Sequence, residues 1–175
     1  MEKTRLRGEK VKLDIGAGHR ASGDVNVDLY PDDMFHRTAS DGIEHECKSH
    51  CIPNFVKADG QHLPFKDGCF EEVLCSHVLE HVPNPVLMMR EMMRVSRDRV
   101  KIVVPHRYGK HAKKKSHLHY FSNRWFERVL KGFPEVYSWT TEQSTYGFPT
   151  ETFSLLRLPK EITVSMRVFK NGKEG

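Results

Sequence analysis

Short apolar runs rich in valine and isoleucine alternate along the chain with segments of helical spacing. Runs of this kind without polar alternation are typical of parallel strands buried on both faces. Five of them predict strands: Lys10–Ile15, Val25–Leu29, Phe55–Ala58, Glu72–Ser76 and Val100–Val104. Two more strands are predicted in the tail: Glu135–Thr140 and Ile162–Phe169.

Two helices have recognisable first residues. Asn84 is suited to the N-cap of a helix that runs to about Val95, and Pro85 is suited to its first position. Proline has no amide hydrogen, and at that position the amide would have no partner within the helix. Ser122 is a suitable N-cap for a second helix, to Lys131. Strands alternating with helices predict an α/β fold, a doubly wound and mostly parallel sheet.

Length and composition bound the class of protein. A chain of 175 residues predicts a single domain over 1–175. No apolar run approaches the about 18 residues of a membrane span, and the charged N-terminus lacks the apolar core of a secretory signal. Four cysteines are few for a disulfide scaffold. We therefore expect a cytoplasmic protein that has no membrane partner.

The net charge of +5 is unevenly distributed. Met1–Glu80 has 10 basic and 15 acidic residues, whereas Arg99–Lys131 has 10 basic residues and one acidic residue. Within the basic stretch, segment 105–120 follows the fifth strand, at the edge where doubly wound sheets bind ligands. It is either a solvated loop or an electropositive lid that attracts an anionic molecule.

A glycine turn, Gly16-Ala17-Gly18, follows the first strand, and Asp28 ends the second. A carboxylate in that place can accept hydrogen bonds from ribose hydroxyls. The dinucleotide fingerprint requires a third glycine and an acid about 20 residues further on. Here Ala21 takes the glycine position and Asp28 follows Gly16 by 12 residues. A dehydrogenase is therefore disfavoured, and the first crossover helix is predicted to be shortened or absent.

Several motifs occur in one order along the chain: Leu13–Gly18, Val25–Asp28, Ala58–Gly60, Ser76–His81, Val103–Pro105 and His119–Ser122. This series resembles the class I S-adenosylmethionine-dependent methyltransferases, in particular the small branch with a shortened first helix. The resemblance covers roughly residues 10–134. It implies a Rossmann-like sheet with an antiparallel strand near the C-terminus, and S-adenosyl-L-methionine as the cofactor.

The resemblance also implies roles for individual residues. Asp14 and the backbone of Gly16, Ala17 and Gly18 would hold the methionine moiety. Asp28 would bind the ribose hydroxyls, with Leu29 against the adenine, and Asp59, flanked by Gly60, would reach the adenine amino group. Ser76 and His77 would line the floor near the sulfonium. A general base is needed only if the acceptor must lose a proton. The histidines that could serve are His77, His81 and His119, and His117 is a further candidate.

Other interpretations stay open at this stage. Cys47 and Cys51, with His45 and His50 beside them, are a weak candidate for zinc, so that no metal is the expectation. The chain could be a cofactor-binding module without catalysis, or an RNA-binding protein that uses the basic residues 99–131. The acceptor, a small molecule or a nucleic acid and favoured to be anionic, is not identified by the sequence. A monomer or a homodimer is expected.

Overall fold

The computed structural model describes residues 10–18, 21–29, 52–146 and 158–169, which contain seven strands and two helices. The strands are β1 (Lys12–Ile15), β2 (Val25–Asp28), β3 (Phe55–Lys57), β4 (Phe70–Ser76), β5 (Ser96–Pro105), β6 (Val136–Tyr146) and β7 (Leu158–Val168). The helices are α1 (Pro85–Val95) and α2 (Asn123–Leu130). Every element that the sequence predicts is present.

All seven strands form one sheet in the order β3-β2-β1-β4-β5-β7-β6. Strands β1 to β5 are parallel to their neighbours, whereas β7 is antiparallel to both β5 and β6. The predicted mostly parallel sheet with an antiparallel strand near the C-terminus is therefore confirmed. The strand order changes direction between β1 and β4, and a crevice at such a switch point is where open α/β sheets bind ligands.

The connection from β1 to β2 is very short. Its described residues, 16–18 and 21–24, form turns and bends and contain no helix, as predicted. The amides of Gly16 and Ala17 both donate to the carbonyl oxygen of Val27, at 2.7 and 3.1 Å. These bonds fold the connection back onto β2, so that its glycines lie at the carboxyl edge of the sheet.

Both helices begin where their caps predict. The Asn84 side chain accepts a hydrogen bond from the Leu87 amide at 3.0 Å, and the Ser122 hydroxyl accepts one from the Trp125 amide at 3.3 Å. Each bond satisfies an amide that the first helical turn leaves unpaired. The α1 methionines pack into the core; Met88, Met89, Met92 and Met93 are at most 1% exposed.

The two C-terminal strands are longer than predicted. β7 begins at Leu158 rather than Ile162, and β6 continues to Tyr146 rather than ending at Thr140. The register pairs them along their whole length, and backbone hydrogen bonds between antiparallel strands do not require apolar side chains. The polar end of β6 therefore has no hydrophobic pattern by which the sequence could reveal it.

Three predictions concern the membrane, the number of domains and a zinc site. Neither α1 nor α2 has the length and apolarity that a membrane crossing needs. The single domain over 1–175 stays a prediction. Cys47 and Cys51, the candidate zinc ligands, lie outside the described residues.

Candidate functional site

A cleft of about 990 Å³ opens at the carboxyl edge of the parallel strands. Its walls come from the residues that follow β1, β2, β3 and β4, from the chain beyond β5, and from the first residues of β7. Parallel strands bring their carboxyl ends to one edge, so residues far apart in sequence converge here.

The glycine turn after β1 forms one wall of this cleft. Gly16 and Gly18 both have left-handed backbone conformations, with φ of +71° and +50°. A Cβ on Gly16 would collide with the side chain of Val78, whereas a Cβ on Gly18 would have no atom nearer than 4.0 Å. Gly16 therefore permits close packing of the loop after β4, and Gly18 leaves open space for a ligand.

Asp28 and Leu29 lie beside this turn and line the cleft, and their roles toward the cofactor stay predictions. The Gly18 amide donates to Asp28 Oδ2 at 3.0 Å, which fixes the carboxylate at the end of β2. The Leu29 side chain is 36% exposed. An anchored carboxylate next to an exposed apolar side chain suits a ligand with a polar sugar and a flat apolar base.

Three other residues predicted to bind the cofactor are not among those that line the cleft. Asp14 is buried, and its Oδ2 accepts hydrogen bonds from the Ser22 amide and hydroxyl at 2.9 and 2.8 Å. Ala17 is buried, and Ser76 ends β4. Asp14 thus holds the β1–β2 connection together, and the cofactor roles of all three stay predictions.

The loop after β3 supplies Asp59, Gly60 and Gln61 to the cleft, and the adenine-binding role of Asp59 stays a prediction. Asp59 Oδ1 accepts the Gln61 amide at 2.8 Å, so the carboxylate is anchored in its own turn. A Cβ on Gly60 would lie 2.7 Å from Met88 Cε, so a larger residue here would require the end of the Met88 side chain to shift. Gln61 Oε1 in turn accepts the Asn84 amide at 2.9 Å and joins the loop to the start of α1.

His77 lies on the cleft floor in a strained conformation, with φ of +56°. Its Nδ1 lies 3.5 Å from Glu80 Oε1, and its Nε2 lies 3.4 Å from Glu161 Oε1. The hydrogen bond to Glu80, together with the negative charges of Glu80 and Glu161, raises the pKa of His77 although burial opposes this. The two carboxylates therefore stabilise the imidazolium form of His77 relative to that of a free histidine.

His81 and His117 also line the cleft, with their rings edge to face and 4.7 Å apart. His81 Nδ1 lies 2.9 Å from the carbonyl oxygen of Ser116, and His117 Nδ1 lies 2.8 Å from that of Ala112. Burial lowers the pKa of His117. His119, the third catalytic candidate, is not among the lining residues; its Nε2 lies 3.0 Å from the carbonyl oxygen of Val82. Its catalytic role stays a prediction.

Segment 105–120 reaches the cleft, where it contributes Pro105, His111, Lys114, Ser116, His117 and Leu118. The amides of Leu118 and His119 donate to the carbonyl oxygen of Glu80 at 2.8 and 3.2 Å and fix the segment against the loop after β4. Burial and the positive charges of Lys114 and Lys110 lower the pKa of His111. This rim of the cleft therefore carries positive charge, and it lies close enough to Glu161 for that carboxylate to act on His111 as well.

Sequence reasoning missed several lining residues. Glu161 and Lys160 reach the cleft only because β7 pairs with β5 in a register that places Glu161 opposite Pro105. No local motif specifies such a long-range register. Gln61 and Glu80 lie inside or next to recognised motifs. Their burial, at 9% and 1% exposed, is visible only in the structure.

The sheet order, the switch-point crevice and the glycine turn against Asp28 together define a class I methyltransferase. The methyltransferase domain family matches residues 13–104, more than half of the chain, and the chain belongs to this family. The match runs from β1 to the end of β5 and so includes the glycine turn, Asp28, Asp59 and His77.

Known proteins support the same family. An uncharacterized methyltransferase of Mycobacterium sp. (strain KMS) is 49% identical over 43 residues, which are 25% of this chain and only 17% of that relative. An S-adenosylmethionine-dependent methyltransferase of Thermotoga maritima has a similar structure, with a TM-score of 0.65 at 14% identity over 94% of this chain and 84% of its own.

A third similar protein is phosphoethanolamine N-methyltransferase 2 of Haemonchus contortus. Its structure gives a TM-score of 0.61 at 11% identity, and the alignment covers 95% of this chain and 50% of that one. That structure contains S-adenosylhomocysteine and phosphomonomethylethanolamine. At such low identity the similarity concerns the fold.

Proposed function

We propose that this protein binds S-adenosylmethionine in the cleft and transfers its methyl group to an anionic acceptor that enters beside segment 105–120. The observation that carries the proposal is the arrangement of Asp28, Leu29 and the glycine turn at the switch point of the sheet. Membership of the methyltransferase domain family supports it, as does the S-adenosylhomocysteine in the similar Haemonchus contortus enzyme.

The residues present fit the parts of this cofactor. Asp28 offers carboxylate oxygens for the two ribose hydroxyls, Leu29 offers an apolar surface for the adenine, and Asp59 offers an acceptor for its amino group. The space in front of Gly18 accommodates the amino-acid end. The cofactor carries a positively charged sulfonium, which suits the carboxylate of Glu161 in the cleft wall.

The cofactor supplies an activated methyl group, which moves to the acceptor in one displacement while the sulfur keeps the electron pair of the broken bond. The protein must align the acceptor with the methyl carbon and exclude water, and such positioning supplies about 7–11 kcal/mol of the barrier reduction. The Asp28 and Asp59 carboxylates are held by backbone amides before any ligand arrives, so part of the ordering cost is already met.

The charge distribution supports an anionic acceptor. Lys114 lines the cleft on segment 105–120, and Lys160 lines it beside Glu161, whose Oε1 lies 3.8 Å from Lys160 Nζ. Both lysines could attract an anionic acceptor toward the cleft. If the acceptor loses a proton, His77, His81 and His117 are the candidate bases that line the cleft.

Isothermal titration calorimetry of the full chain with S-adenosylhomocysteine tests the cofactor site. We expect binding by the unaltered protein and binding at least about tenfold weaker for Asp28→Asn, because a hydrogen bond to a charged group contributes about 1.5–3 kcal/mol. Asp98→Asn is the matched control, since Asp98 lies on β5, pairs with Arg167 and does not line the cleft. No binding by the unaltered protein would refute the proposal.

Methyl transfer is then measured with radiolabelled S-adenosylmethionine and paired acceptors that differ only in charge, such as a phosphorylated compound and its unphosphorylated parent. We expect transfer to the anionic member to decline in Lys114→Gln while S-adenosylhomocysteine binding is kept. Cofactor binding without transfer to any acceptor would instead favour a non-catalytic module. RNA binding that needs no cofactor and weakens steeply with salt would favour the nucleic-acid alternative.

A further inference from the structure

The buried carboxylate of Glu80 has an unusual environment. Its side chain is 1% exposed, and Oε2 has no hydrogen-bond partner among the described residues. Oε1 is engaged by His77 Nδ1 at 3.5 Å. A buried charge is costly unless its oxygens are paired or bind a metal. Within the described part of the chain, no donor therefore reaches the second oxygen of this side chain.

Two histidines lie near this carboxylate. Glu80, His81 and His117 each offer one ligand atom, and these three atoms lie within 4.8 Å of one another. Glu80 Oε1 and His81 Nε2 are 4.0 Å apart. With metal–nitrogen and metal–oxygen bonds of about 2.0–2.2 Å, the ligand atoms of a tetrahedral site lie about 3.3–3.6 Å apart, so a bound ion would draw the three atoms together by up to about 1.5 Å through side-chain rotation.

The hydrogen bonds of the two rings select the tautomer that a metal requires. Backbone carbonyl oxygens can only accept, so Nδ1 of His81 bears its hydrogen toward Ser116, and Nδ1 of His117 bears its hydrogen toward Ala112. In the neutral rings the lone pair is then on Nε2. In metal-binding histidines, the ring nitrogen that does not bind the metal usually donates a hydrogen bond, often to a backbone carbonyl oxygen.

We propose that Glu80, His81 and His117 bind a divalent transition-metal ion of the zinc class in the wall of the cleft. Two imidazoles and one carboxylate suit Zn²⁺, Fe²⁺ or Co²⁺ and leave coordination positions open, as in catalytic metal sites. All three residues line the cleft, so a bound molecule could occupy an open position with an oxygen atom. This site goes beyond the proposed methyl transfer and does not depend on it.

Cobalt is the probe that tests the site, because its visible spectrum reports the ligands. The untagged full chain is treated with EDTA, dialysed and titrated with Co²⁺, and the bound metal is measured by mass spectrometry. We expect one equivalent of Co²⁺ per chain, displaced by Zn²⁺, with visible bands typical of nitrogen and oxygen ligands. An intense near-ultraviolet band from sulfur ligation that disappears in the Cys47→Ser, Cys51→Ser double variant would overturn the assignment.

The variants are chosen to remove a ligand atom and keep the local hydrogen bond. Asparagine at position 117 keeps a donor near Ala112 and removes Nε2, and Glu80→Gln keeps the shape of the carboxylate without its charge. Changing a residue that only supports a ligand through a hydrogen bond weakens metal binding about 10–100-fold. His117→Asn and Glu80→Gln each remove a ligand and should weaken Co²⁺ binding by at least that much. His62→Gln is the matched control for Co²⁺ binding, because the His62 side chain is 74% exposed and His62 is not one of the three proposed ligands.

Circular dichroism and S-adenosylhomocysteine titration of the same samples keep the outcomes apart. Loss of Co²⁺ binding in a variant that keeps its fold supports the site. Unchanged Co²⁺ binding in both variants, or no binding by the unaltered chain, overturns it. S-adenosylhomocysteine binding without Co²⁺ binding would refute the metal site and leave the methyltransferase proposal standing. Co²⁺ binding without S-adenosylhomocysteine binding would support the metal site and refute the methyltransferase proposal.

Discussion

The guanidinium of Arg94 binds the carboxylate of Glu91 through two hydrogen bonds, Nε to Oε1 at 2.7 Å and Nη2 to Oε2 at 2.8 Å. The same guanidinium also reaches the carbonyl oxygens of Leu63 and Phe65 and the Asp67 carboxylate. Glu91 Oε2 accepts the Leu63 amide at 2.8 Å. The pair therefore clamps segment 63–67, which leads into β4, onto α1.

Arg94→Ala should lower the free energy of unfolding by about 2–3 kcal/mol, because several charge-assisted hydrogen bonds are lost at once and Glu91 is left without its partner. Arg90→Ala on the same helix is the control. Arg90 contacts the ring of Phe133 at 5.3 Å, a cation–π contact of about 0.5–1 kcal/mol at an exposed site. Urea denaturation followed by tryptophan fluorescence measures both, and equal losses would contradict the clamp.

The same clamp predicts a pH dependence of stability. The hydrogen bonds from Arg94 lower the pKa of Glu91 from its ordinary value of 4.5. Because the folded pKa lies below the unfolded one, the stabilisation is fully present above about pH 4.5 and is lost as the pH falls through the folded value. The destabilisation caused by Glu91→Gln should therefore shrink on acidification below pH 4.5, as measured by urea titrations at a series of pH values. A constant difference across that range would refute the assignment.

The two glycines of the turn after β1 should differ in their response to alanine. Gly18→Ala meets open space and should cost about 1–2 kcal/mol for its positive φ alone. Gly16→Ala adds a collision with Val78 and should cost about 2–5 kcal/mol, because overpacking adds about 1–3 kcal/mol.

Val78→Ala provides the check on this prediction. It should relieve part of the cost of Gly16→Ala and none of the cost of Gly18→Ala, a difference that a double-mutant cycle of unfolding free energies measures. Additive effects in both pairs would show that the packing of Val78 against Gly16 is not the constraint.

The electropositive rim can be tested at His111. Burial lowers the pKa of this residue most, and Lys114 and Lys110 lower it further. Lys114→Gln should raise the pKa of His111 toward 6.5 without reaching it, since burial remains, and added salt should raise it in the unaltered protein by screening. NMR titration of the ring measures both effects. Lys115→Gln is the control, and an equal shift in that variant would deny Lys114 its specific role.

Local sequence signals predicted what depends on local structure. Asn84 and Ser122 begin their helices as predicted, because a cap requires only a side chain and an amide three residues further on. The glycine turn and Asp28 were likewise recognisable from their order and spacing. The absence of a full first helix followed from the few residues between the first two strands.

The remaining features depend on long-range register and on side-chain rotamers. Glu161 reaches His77 only through the pairing of β7 with β5, which no short motif encodes. The resemblance implies a cofactor role for Asp14, and only the structure shows that its carboxylate also accepts two hydrogen bonds from Ser22. Glu80 and His117 come together only because the chain beyond β5 folds back onto the loop after β4. The proposed metal ligands could therefore not be predicted as a group from the sequence.

The backbone bonds from Leu118 and His119 to the carbonyl oxygen of Glu80 have a consequence for redesign of the cleft. Every residue except proline carries an amide hydrogen, so substitutions at positions 118 and 119 keep the bonds that anchor the loop beside the cleft. The side chain at position 118, which lines the cleft, can therefore be exchanged without removing this anchor.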